Sequence, residues 1–245
     1  MSAVTSAPPT SRTCGDAPRC YLDVDIDDAR AKYARACEFV AAKNLALGLS
    51  SNRLSELSGS ELARLPELYE ADFEWSQKGA MLVRLPAQRL VVQLDRKAAP
   101  LAVENFVALC TGERGKHAGK PLHYAGCPFH RIVRGFVAQA GDITTGTGTG
   151  GASVFNGGKK FKDDKGGLKA RCDARGVLAM GNSGKNSNTS QFFFVLDAAR
   201  CAKLSGKHVV FGKLVGGHDV LDAIEAAGTD GDDGKPSVRV VVADC

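Results

Sequence analysis

Two residues with heavy hydrogen-bonding demands, Arg131 and Gln139, sit inside the apolar, strand-like stretch FHRIVRGFVAQAGD (129–142). A third, Gln191, stands at the head of SQFFFVL (190–196). Alternation there puts Gln191, Phe193 and Val195 on one face and Phe192, Phe194 and Leu196 on the other. Both faces are apolar, so both are covered, and a buried amide among them needs partners. A cation, several amides and a set of aromatics suit the holding of an extended peptide. Cutting one would require more. The five histidines, His117, His123, His130, His208 and His218, accompany no G-x-S-x-G elbow and no Ser/His/Asp arrangement.

Other chemistries find less support. TTGTGTGG (144–151) lacks the G-x-x-x-x-G-K-[ST] pattern and opens no helix, which argues against a phosphate cradle. GNSGKNSNTS (181–190) reads as a turn-rich loop whose small residues let a backbone approach a ligand. The string His117, His123, Cys127, His130 matches no tetrahedral zinc framework, so neither a metal nor a cofactor is expected.

The 245 residues are 44% hydrophobic and 24% charged, an ordinary globular balance, and the length is compatible with one large domain or one domain plus an appendage. No stretch approaches the roughly 20 apolar residues of a membrane span. Residues 1–18 are polar and rich in Pro, Ser and Thr, which predicts a flexible tail; without a secretory pattern the expected location is the cytoplasm, with the nucleus left open. Eight cysteines without a C-x-x-C pair read as reduced thiols. The net charge of +5 and the lysines between Lys159 and Lys169 could contact RNA or acidic partners, but the stretch lacks the interleaved aromatics of a stacking platform and reads first as a solvated basic loop, so nucleic acid is not the expected partner.

The elements that must position these residues are mainly strands. CYLDVDID (20–27) alternates, and RLVVQLD (89–95) follows only after a long interval. The interval 28–88 is charge-balanced and mostly helical: Tyr33, Ala36, Cys37 and Val40 share helical spacing, and Ser60 is a candidate N-cap. APLAVENFVALC (99–110) and DVLDAIEAAG (219–228) predict two further helices among short strands, which points to a closed antiparallel barrel.

FHRIVRGFVAQAGD, GTGG (148–151), MGNSGKNSNTSQFFF (180–194) and GKHVVFGKLVGG (206–217) together resemble the cyclophilins, a family of peptidyl-prolyl cis/trans isomerases. The resemblance runs almost continuously from Arg89 to Cys245, and RCYLDVDI (19–26) resembles the family's first strand. It implies a domain over 19–245: a closed eight-stranded antiparallel barrel capped by two helices, with a helical insertion, 28–88, between the first two strands. Arg131 falls at the catalytic arginine, with Phe136, Gln139, Asn182 and His208 around it. Val137, Phe193 and Leu204 fall with Phe136 at the proline-ring pocket, Val137 where methionine is more usual. Gln191 falls at the rim, and Gly181, Ser183 and Thr149 at the neighbouring pocket.

The implied activity is rotation about X-Pro bonds without a cofactor, in a monomer whose partners are proline-containing peptides and folding proteins. The alternative is a binding module of the same fold with vestigial activity, the insertion docking a partner. CTGERGKHAGKPLHYAGCPFHRI (110–132) resembles the longer loop of divergent-loop members, whose counterparts of Cys110 and Cys245 have been considered a redox pair. The plainer reading is two buried reduced thiols. Two departures stand out. The family's tryptophan between Phe193 and Gly206, a cyclosporin contact, is absent, since the sole Trp is Trp75; cyclosporin binding is therefore expected to be weakened. Strict alternation also puts Phe136 and Gln139 on opposite faces, which a bend at Gly135 would repair.

Overall fold

A computed structural model describes residues 17–231 and 233–245; of the expected tail only Ala17 and Pro18 fall within them. The first strand, β1 (Arg19–Ile26), buries Leu22 and Val24 as its alternation requires. A turn with Asp27 and Asp28 at φ 56 and 53 then launches α1 (Ala29–Leu47). A 3-10 turn (Leu54–Glu56), α2 (Gly59–Ala71) and α3 (Phe73–Ser76) follow. The N-cap of α2 is Ser58, not Ser60. Ser58 stands three residues before Glu61, and the two side chains satisfy each other's backbone N–H groups in a capping box; Ser60 has Ala63 at that spacing. These helices build their own core of Phe39, Val40, Leu65, Tyr69 and Trp75, with the rings of Phe39 and Tyr69 5.1 Å apart edge to face.

The chain returns in β2 (Arg89–Leu94), enters α4 (Pro100–Thr111) with Pro100 in its first turn, and makes a small hairpin of β3 (Lys116–His117) and β4 (Lys120–Pro121). Then come β5 (Arg131–Val133), β6 (Val137–Ala140), α5 (Lys165–Lys169), β7 (Val177–Met180) and β8 (Phe192–Val195). The chain finishes with α6 (Ala198–Cys201), a 3-10 turn (Ala202–Leu204), β9 (Val210–Gly216), α7 (His218–Ala226) and β10 (Val240–Asp244).

Eight strands form one antiparallel sheet in the order β10-β1-β2-β9-β7-β8-β6-β5. It curls around Phe106 of α4, Val220, Leu221 and Ile224 of α7, and the inward rings of Phe192, Phe194 and Phe211. The two long helices after β2 are therefore the expected caps. The expected closure of the barrel does not occur. β5 and β10 share no ladder, and the gap carries a single bridge, Pro128–Val241, flanked by bonds from Phe129 N–H to Val240 and from Val242 N–H to Cys127. Pro128 sits at the non-hydrogen-bonded position of this bridge, where the flanking residues make the bonds and its missing N–H is not needed. No helix among the described residues is long and apolar enough to cross a membrane.

Candidate functional site

The register of three neighbouring strands places the candidate residues in one row. Arg131 of β5 stands opposite Gln139 of β6, and Gln139 stands opposite Phe193 of β8. Because directly opposed residues share a face, all three point to the outside of the curled sheet, away from Phe192 and Phe194. There Val137, Phe193, Val195, Val177 and Cys201 form a second apolar layer, with Phe136, Leu204 and Val210 packed against it. Both faces of β8 are thus buried, as its sequence requires, but by different clusters.

Phe136 joins this face by leaving the strand. It belongs to a turn over 134–136, with Gly135 at φ 61 in the left-handed region and Phe136 N–H bonded to Val133 O. The turn is tied on every side. Glu225 Oε1 accepts from Gly135 N–H at 2.7 Å, Arg200 Nη1 donates to Arg134 O at 2.9 Å, and Phe136 O accepts from Leu196 N–H and the Cys201 thiol. A cavity of ≈ 130 Å³ results, lined by Arg131, Phe136, Val137, Gln139, Gly181, Asn182, Phe193, Leu204 and His208. The guanidinium carbon of Arg131 lies 5.9 Å from the Phe136 ring centroid.

The amides are oriented by a relay. Gln191 Nε2 donates to two backbone carbonyls, Gly148 at 2.9 Å and Gly150 at 2.7 Å. An amide nitrogen held by two acceptors leaves the amide oxygen facing the other way, and that oxygen accepts from Gln139 Nε2 at 2.8 Å. Gln139 therefore presents its own carbonyl oxygen to the groove as an acceptor. Gly181 permits the close approach: a Cβ there would lie 3.1 Å from the Gln191 Cβ and 3.5 Å from Gln139 Nε2.

Asp142 organises the loop that supplies those carbonyls. Its buried carboxylate accepts from the backbone N–H groups of Thr144, Thr145, Gly148 and Gly150 and from two threonine hydroxyls. Burial alone would raise its pKa, but the bonds from Thr145, Gly150 and Thr144 outweigh burial and hold it well below the usual carboxylate range. Asp142 and the two glycine carbonyls were not singled out from the sequence; an aspartate followed at once by Thr- and Gly-rich residues, which favours Asx-type turns, was the available signal.

His208 sits at the inner wall, edge-on to the Phe193 ring at 5.2 Å, with Nδ1 3.0 Å from Met180 O. Burial pushes its pKa below the ordinary histidine value, so the neutral ring donates from Nδ1 and keeps Nε2 as an acceptor. The Asn182 side chain is spent locally, donating to Lys207 O and accepting from Gly184 N–H. Its backbone N–H and C=O make no bond to the described residues. A second, polar hollow of ≈ 290 Å³ shares Gln139, Gly181 and Asn182 with the first and adds Thr149, Lys160, Ser183 and Gln191. No part of 28–88 lines either cavity.

Cys110 and Cys245 lie elsewhere, where the last turn of α4 meets the chain end. The Cys245 thiol donates to Cys110 O at 3.2 Å and lies 3.5 Å from His123 Nε2, and both cysteines are free thiols. Burial raises the Cys110 thiol well above its usual pKa. No cluster of three or more metal-ligating side chains occurs among the described residues.

The curled antiparallel sheet thus carries on its outer wall a small pocket that joins an apolar layer to one guanidinium and a pair of linked amides. Residues 81–245 match the family model of cyclophilin type peptidyl-prolyl cis-trans isomerases, and the chain belongs to that family.

Proposed function

We propose that the protein is an active peptidyl-prolyl cis/trans isomerase acting on X-Pro bonds in peptides and folding proteins. The observation that carries this reading is the row Arg131–Gln139–Phe193 beside Phe136, which sets a guanidinium, an oriented amide and an aromatic seat around one small cavity. The X-Pro bond turns slowly because amide resonance imposes a barrier of roughly 18–20 kcal/mol. As the bond twists, the proline nitrogen regains a lone pair. In this reading Arg131 donates to that lone pair, an interaction nearly absent in the planar ground state and so one that lowers the barrier. Phe136, Val137, Phe193 and Leu204 hold the ring, while Gln139 Oε1 and the Asn182 backbone hold the flanking peptide groups. Neutral His208 closes the inner wall. A protease-coupled X-Pro assay tests the proposal, and an inert wild type contradicts it.

A second reading, a binding module whose helical segment 28–88 docks a partner, draws on the exposure of Phe73 (83%) and Leu45 (89%) on that segment. We treat 28–88 as an insertion into the family domain. Cys110 and Cys245 are read as reduced thiols; a Cys110–Cys245 crosslink in peptides from peroxide-treated protein would overturn this.

A further inference from the structure

The lysine-dense stretch after Gly158 borders the polar hollow beside the proline pocket. We infer that this hollow selects an acidic side chain, so that preferred substrates are X-Pro segments carrying a carboxylate within a few residues of the proline. The inference rests on the isomerase reading and names its substrate class.

Among the described residues, no Asp or Glu lines either cavity. The polar one is walled by amides, hydroxyls and glycine backbone, with Lys160 as the one cation among the described residues that line it. Lys160 is exposed, and its Nζ donates to the Ser183 hydroxyl at 3.3 Å across the mouth, so its partner is neutral. The nearby carboxylates are held by neutral donors. Asp164 accepts from the Leu101 and Ala102 N–H groups at the start of α4, and Asp163 is taken up by Asn186 and Asn188. Lys159 and Lys162 flank Lys160, Lys185 lies between the lining residues Ser183 and Ser187, and the Lys207 carbonyl accepts from Asn182; all four are exposed, and none of them, nor Lys160, forms an ion pair with the described residues. At the proline pocket the cations continue, with Lys203 Nζ 5.1 Å and the Arg200 guanidinium 5.7 Å from the Phe136 ring centroid.

A merely solvated surface mixes both signs, as the ion-paired helical segment does. Around this concave site the exposed lysines Lys159, Lys160, Lys162, Lys185 and Lys207 outnumber the carboxylates set behind it, Asp142, Asp163 and Asp164, and a concave wall focuses that cationic excess on whatever enters. An extended peptide advances roughly 3.3 Å per residue, and the two hollows share Gln139, Gly181 and Asn182, so a side chain one to three residues from the seated proline reaches Lys160.

The test is a peptide series built on one X-Pro frame, with Glu, Gln or Lys at each of the three positions on either side of the proline. Isomerisation rates and calorimetric Kd values are measured at low salt and at high salt. At one position the Glu peptide should exceed the Gln peptide about threefold, the range of an exposed ion pair, with Lys below both. The ratio should fall to one at high salt and in Lys160→Gln, and reverse in Lys160→Glu. Equal rates for Glu, Gln and Lys at every position overturn the inference, as does a preference that survives Lys160→Gln. If wild type turns over no peptide, the isomerase reading fails, and the Kd values still decide selectivity: tighter Glu binding lost in Lys160→Gln supports it, and equal Kd values overturn it.

Discussion

Arg131 and Gln139 face each other across β5 and β6, directly opposed in the ladder, on the face of the sheet turned away from the main core. That pairing fixes the spacing between the Arg131 guanidinium at the edge of the small cavity and the amide that flanks it. Gln191 in turn holds Gln139 where the ladder puts it.

Gln191 is the first test of that claim. Gln191→Ala removes the acceptor that orients Gln139 and strands the carbonyls of Gly148 and Gly150. Leaving buried polar groups unpaired costs about 1–3 kcal/mol, so thermal melts should show a lowered Tm. Loss of one oriented hydrogen bond, about 1 kcal/mol, should lower kcat/KM roughly fivefold. An unchanged kcat/KM would mean that Gln139 orients itself.

Asp142 supplies the pH dependence. Its folded pKa lies below the unfolded value near 4, so its contribution to stability is fully present above that value and is lost as pH falls through and below it. Tm of the wild type should therefore drop between about pH 4 and pH 2. Asp142→Asn, which turns an amide N–H₂ toward backbone donors, should lower Tm at pH 7 and flatten that acid limb. An equally steep acid limb in the variant would assign it to other carboxylates.

Much of this site could be read from the sequence because strands alternate. The division of Phe192 and Phe194 from Phe193 and Val195 follows from period two alone, and the two sets do fill different clusters. The placement of Phe136 did not follow from alternation, because a left-handed turn at Gly135 restarts the phase; the Gly itself was the clue. The clamp on Gln191 was invisible because its partners are backbone carbonyls some forty residues away, and backbone groups carry no residue-type signature. The open edge was missed for a similar reason: whether Pro128 seeds a strand pair or a lone bridge depends on where the chain arrives.

The helical segment predicts a separable transition. Trp75 is the sole tryptophan and is buried in the segment's own core with Phe39 and Tyr69, so its fluorescence reports on that core alone. Trp75→Ala should cost about 3–5 kcal/mol there and leave kcat/KM for a short X-Pro peptide within twofold. A parallel loss of activity would show that 28–88 supports the groove.

Cyclosporin binding should be weak. Between Phe193 and Gly206, where the sequence resemblance leads one to expect a tryptophan, α6 and the turn behind it instead bring the exposed Arg200 and Lys203 to 5.7 and 5.1 Å from the Phe136 ring centroid. Cations offer an apolar ligand a poor surface. Calorimetry should give a Kd well above the low-nanomolar range; a low-nanomolar Kd would contradict this.

The most direct test of the account is the rate of X-Pro isomerisation by the wild type beside Arg131→Ala, with matched folding checked by circular dichroism. Removing the donor that meets the transition state should cost roughly a hundredfold or more in kcat/KM, on the scale of other transition-state donors. A wild type that accelerates nothing, or an Arg131→Ala variant that matches it, would contradict the central claim.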